Sequence, residues 1–154
     1  MVVLVANYFE VTINDDIEDS PRLVVALRSG SFCGEALAYF NSKTLETESE
    51  IFSKIPISIT ETLAISLGYL DPIDHTRVAD ELIGIRASSV GASGKTIIEV
   101  SLVQEEIGAG FQGARAFIRV RFVATYGQLG DFASSLGALA RREIDKVRFE
   151  EWTG

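Results

Sequence analysis

Apolar and polar positions alternate with a period of two through most of the chain, the spacing that lets a strand turn one face to a core and the other to water. Leu23, Val25 and Leu27 share a face, and Phe32 to Phe40 continues the pattern after Ser29-Gly30-Ser31, which predicts a hairpin. The same alternation marks Leu63, Ile65 and Leu67, then Ile83 and Ile85. It predicts a second hairpin, with strands over 82–89 and 96–104, and a long strand over 114–124. The apolar run Val2–Ala6 reads as a further strand, since it is too short and too poor in basic residues for a leader or a membrane span. Between the strands, residues 71–80 carry Pro72 and several Asp residues and read as a loop.

Two segments break the alternation. After Asn41-Ser42, which suit a helix cap, Leu45, Ile51, Phe52 and Ile55 recur at roughly helical spacing until Pro56, predicting a helix over about 43–54. Leu129, Phe132, Leu136 and Leu139 predict a second helix, with Asp131 toward its positive end and Arg141 and Arg142 at its negative end. Gly137 inside it weakens it by about 1 kcal/mol relative to Ala, which packing of the apolar stripe offsets. The expected architecture is one α+β domain over residues 1–154. It has a largely antiparallel sheet and two helices, one after the third strand and one near the C-terminus.

The Gly94-Lys95-Thr96 triplet resembles the end of a phosphate-binding loop, which needs a glycine five positions earlier and a helix directly after. Here that earlier position is Ser89, and Thr96 to Val103 is β-branched and alternating. Gly91 and Gly94 therefore read as turn residues between two strands, and no nucleotide site is expected.

Composition narrows the function more than it defines it. At 154 residues, 47% hydrophobic and 23% charged, the chain is long enough for a substantial core and has the balance of an ordinary folded domain. Its 14 Lys and Arg against 22 Asp and Glu give a net charge of −8, which argues against nucleic-acid binding and leaves a basic protein partner open. With Cys33 alone no intrachain disulfide forms, which fits a cytoplasmic setting.

Candidate chemistry is sparse. Cys33 and His75 are the one cysteine and one histidine; Cys33, beside Phe32 in an apolar strand, reads as a small buried hydrophobe, and His75 as a solvated loop residue. They cannot complete a zinc site. Asn14-Asp15-Asp16-Ile17-Glu18-Asp19 is rich in carboxylates, but an EF-hand loop counted from Asn14 would need Gly at 19 and Glu at 25, where Asp19 and Val25 stand. It reads as a turn between strands. Arg115, Arg119 and Arg121 share a strand face with Phe117 and Val123, placed to meet an anion or, more simply, Glu99 or Glu35 on a neighbouring strand. No catalytic residue, cofactor or metal ligand is assigned.

The order of elements, with Phe32-x-Gly34 leading to a helix that carries Leu45 and Phe52 and a late helix beginning Gln128-Leu129-Gly130-Asp131-Phe132, resembles the WapI-type immunity proteins and related small bacterial domains. The likeness covers residues 10 to 140; where that family would have an apolar residue in the first helix, this chain has Glu48. The resemblance implies an α+β module that neutralises a secreted toxin by binding it, without catalysis or cofactor; the lone cysteine and the shortness of the Val2–Ala6 run add the expectation of a cytoplasmic protein with no membrane partner. Charge clustering nominates Asp15, Asp16, Glu18 and Asp19, with Glu46, Glu48 and Glu50 of the first helix, as the surface for a basic toxin. The alternatives are a small-molecule-binding domain or enzyme with a pocket between sheet and helices, and a subunit that only self-associates.

Overall fold

A computed structural model of the protein describes residues 6–16, 21–54, 56–91, 94–105 and 115–154. The strand expected over Val2–Ala6 lies, but for Ala6, outside them. Among the described residues, two helices and eight strands in two antiparallel sheets make up an α+β fold. The first sheet begins with β1 (Tyr8–Asn14), β2 (Arg22–Ser29) and β3 (Phe32–Tyr39), then leaves for α1 (Ser42–Ser49) and a short 3-10 turn (Glu50–Ser53). The second sheet is a meander of β4 (Thr62–Leu70), β5 (Val78–Ser89), β6 (Lys95–Glu105) and β7 (Arg115–Thr125). After α2 (Tyr126–Ala140) the chain returns to the first sheet as β8 (Lys146–Glu150), giving the order β3-β2-β1-β8.

The alternating residues fall where a period of two requires. In the first sheet Phe149, Phe9 and Leu27 stand in one cross-strand row and Val147, Val11, Val25 and Ala36 in the next, all facing inward. Ile65, Ile85, Val100 and Phe122 supply matching inner positions in the second sheet. Four phenylalanines knit sheets and helix together: Phe9 of β1 lies 5.4 Å from Phe122 of β7, 5.4 Å from Phe132 of α2 and 5.1 Å from Phe149 of β8. Phe52 of the 3-10 turn adds a fifth ring, 5.7 Å from Phe132. Glu151, just past β8, bridges the sheets: its carboxylate accepts from Asn7 Nδ2 at 3.0 Å and from the Val123 N–H at 2.9 Å.

Several boundaries differ from those the sequence predicts, each for a local reason. The first helix is shorter than 43–54 because its last turn tightens to 3-10 geometry before Lys54 becomes extended; Asn41 does cap it, accepting from Lys43 and Thr44 N–H. A capping box of Thr125 and Gln128 starts α2 at Tyr126, so Asp131 sits in the second turn and not at the positive end. Arg141 and Arg142 lie just beyond α2, Arg142 in the left-handed region at φ 62°. The expected loop over 71–80 ends early, because Val78–Asp80 already pair in β5. β8 is not among the predicted strands although Val147 and Phe149 alternate within it; five residues after a helix are a weak signal. Gly91 and Gly94 do form the β5–β6 turn, at φ 63° and 74°, and Lys95 places its ammonium 5.0 Å from the Trp152 ring. Among the described residues no helix is long and apolar enough to cross a membrane.

Candidate functional site

β3 is an edge strand of the first sheet and runs across the open end of the second. The two do not close tightly over its C-terminal half. A cavity of about 200 Å³ lies between Ala36–Tyr39 of β3 on one side and Gly68, Tyr69, Leu82 and Val103–Glu105 on the other. It lies between the two sheets and, among the described residues, no helix residue lines it, unlike the pocket between sheet and helices that the sequence offers as an alternative.

A β-bulge shapes its floor. Leu67 pairs with Ile83 but Gly68 pairs with Glu81, so Leu82 is the extra residue; its side chain turns inward and is 7% exposed. The strands come so close there that a Cβ on residue 68 would stand 2.0 Å from the Asp80 carbonyl oxygen. Gly68 is therefore the residue that permits this bulge.

Polar groups at the cavity are unevenly satisfied. Tyr69 donates its hydroxyl to Glu105 at 2.7 Å, an interaction that raises the phenol's pKa. Glu105 also meets Arg115 at 3.1 Å, and Arg115 continues to Asp80 at 2.9 Å. Arg22, at the start of β2, has no such partner. Its Nε is buried and makes no hydrogen bond, and the guanidinium enters no ion pair among the described residues. A buried donor left unmatched costs on the order of 1–3 kcal/mol, so this position calls for an acceptor.

The acids nominated from sequence are partly gathered by the fold. Asp15 follows β1 and Glu46 lies on α1, more than thirty positions apart in the chain, yet they pair with the adjacent residues Arg142 and Arg141, Glu46 at 3.2 Å. Asp16, Glu48 and Glu50 are exposed and in no ion pair among the described residues. Partial desolvation nonetheless raises the Glu48 carboxyl above its ordinary pKa. Glu18 and Asp19 lie outside the described residues.

The arginine face of β7 is committed internally. Arg121 and Arg119 both reach Glu99 of β6, at 3.0 and 3.4 Å, the cross-strand pairing expected, and Glu35 takes no part. Of the opposite face, Phe122 is fully buried, Ile118 and Val120 are half-buried and Ala116 is exposed. Cys33 is exposed, contrary to its reading as a buried hydrophobe, because β3 begins beyond the edge of the core and Phe32 beside it is 71% exposed. His75 sits exposed in the β4–β5 loop as expected, and no hydrogen bond joins it to Cys33. Among the described residues no group of three or more His, Cys, Asp or Glu is placed to hold a metal.

No family model, curated protein or solved structure matches the chain.

Proposed function

We propose that the protein is a non-enzymatic binding module whose acidic end engages a basic protein, in the manner of an immunity protein neutralising a toxin in the cytoplasm. The observation that carries this reading is the meeting of two acid-rich segments around Arg141 and Arg142. Arg142 holds Asp15 and Arg141 holds Glu46 as well as its own neighbour Glu143, while Asp16, Glu48 and Glu50 stay exposed and outside any ion pair among the described residues. They are part of a net charge of −8, and their field at this end speeds encounter with a cationic surface and selects against an anionic one.

The test is capture of the partner from the source organism's lysate at low and high salt, followed by association kinetics on the purified pair. Asp16→Lys, Glu48→Lys and Glu50→Lys together break no described ion pair, so folding is preserved. They are expected to slow association about tenfold or more at low salt and to flatten its salt dependence. Unchanged kinetics would remove this surface from the interface.

A further inference from the structure

We propose that the cavity under β3 is a binding site for a small organic acid: one carboxylate, held by Arg22, on an apolar body that fills the space above Leu82. Such a site is independent of the protein-binding reading, since it uses other residues and another kind of ligand.

The charge pattern selects the ligand's head. Glu105 is the acid lining the cavity, and it is already met by the Tyr69 hydroxyl and by Arg115. Asp15, close after β1, is engaged by Arg142. Arg22 is left as the cation at the cavity with no partner among the described residues; its Nε is shut away, and its two terminal nitrogens are neither buried nor hydrogen-bonded there, so they are the donors open to a ligand. A guanidinium presents a planar fork of donors that fits a carboxylate in two parallel hydrogen bonds. One unpaired guanidinium matches a single negative charge, and a doubly charged phosphate would lack a second cation, since Arg115 is already shared between Glu105 and Asp80.

The walls select the tail. Ala36 and Ala38 are buried, Leu37 and Val103 half-buried, and the bulge turns Leu82 into the same space. A mostly apolar enclosure with a few placed polar groups is the usual make-up of a small-molecule site. About 200 Å³ accommodates roughly a benzene ring or a six-carbon chain beyond the head. The Gln104 amide and Tyr69 hydroxyl at the lining add hydrogen-bonding capacity for a substituent on that body.

The experiment is titration of the isotopically labelled full chain, followed by amide NMR, with phenylacetate, hexanoate, neutral phenylacetamide and inorganic phosphate. Saturable shifts are expected with one or both acids at Ala36–Tyr39, Gly68, Tyr69 and Leu82. Phenylacetamide and phosphate should bind about tenfold or more weakly, since each lacks one half of the recognition. Arg22→Met, which keeps the length and apolar stem of the side chain, should abolish the preference for acid over amide. Failure of both acids to move these resonances would overturn the proposal, as would an amide or phosphate that binds as well as the acids. The acid-against-amide comparison uses the unaltered protein, so it decides the matter even if Arg22→Met does not fold. Loss of the partner interaction with acid binding intact, or the reverse, separates the failure of one proposal from that of the other.

Discussion

Gly68→Ala and Gly130→Ala are the same chemical change, yet the structure gives them opposite signs. Each removes one glycine from the unfolded ensemble, a stabilising contribution of about 0.4–1 kcal/mol. Gly130 lies within α2 with nothing within 4 Å of an added methyl, so that contribution is expressed in full and Ala also favours the helix. At Gly68 the methyl would stand 2.0 Å from the Asp80 carbonyl oxygen and 2.9 Å from the Leu82 nitrogen. Contact at an optimal separation of about 3.5 Å would require the β4 and β5 backbones to part by more than about 1 Å. Both obstructing atoms belong to the main chain, so no side-chain rotation relieves the clash. Overpacking of this kind costs about 1–3 kcal/mol and here belongs at the upper end, which leaves a net loss of about 2 kcal/mol. For a chain of this length, about 2–4 °C of melting temperature accompanies each kcal/mol. Gly130→Ala should melt about 2–4 °C higher than the unaltered protein and Gly68→Ala about 4–8 °C lower, with the same ordering of urea midpoints. A Gly68→Ala protein as stable as the original would show that β4 and β5 do not approach as described, and the bulge with its inward Leu82 would fall with it.

Phe9→Ala should be among the most damaging single truncations, about 3–5 kcal/mol by urea unfolding, because the ring is fully buried and touches rings of β7, β8 and α2 at once. Phe117→Ala, at a side chain 60% exposed, should change stability by less than about 0.5 kcal/mol in the same assay. Glu99→Gln leaves Arg119 and Arg121 unpaired in solvent and should cost no more than about 1 kcal/mol, a difference that fades in high salt. The Asp71 carboxyl is held below its ordinary pKa by the N–H groups of Asp74 and Ile73, and that of Asp74 by the Thr76 hydroxyl and N–H. A folded pKa below the unfolded one contributes stability that is present above about pH 4 and is lost as pH falls through the folded value. The stability gap between the original and the Asp71→Asn, Asp74→Asn variant should therefore be constant at neutral pH and narrow on acidification; a gap that widens would contradict those loop hydrogen bonds.

Strand alternation was legible wherever it ran long enough. β2, β3, the β5–β6 hairpin and β7 were readable from Leu23, Val25, Ile83, Ile85 and the Ala116-to-Phe122 face, since a period of two with β-branched residues has few other physical solutions. Asn41 and Pro56 bracketed the first helical segment for equally local reasons, a side-chain cap and a missing N–H. Cys33 misled because a local apolar neighbour, Phe32, suggests a core that the strand has not yet reached. The acids of 15–19 and 46–50 were visible as clusters, but nothing in their spacing announced that two adjacent arginines would draw Asp15 and Glu46 together.

Periodicity along the chain thus determined six of the strands and both helical segments, though neither β1 nor β8, the apolar side of most of them, and that Gly91 and Gly94 make a turn and no phosphate loop. Those properties depend on backbone stereochemistry and on neighbours two to four residues away. Tertiary structure alone decided that the strands divide into two sheets, that β8 returns to pair with β1, and that a bulge at Leu82 opens a cavity beside Arg22. These depend on contacts between residues tens of positions apart. An unmatched guanidinium becomes meaningful only when every element packed around it is in place.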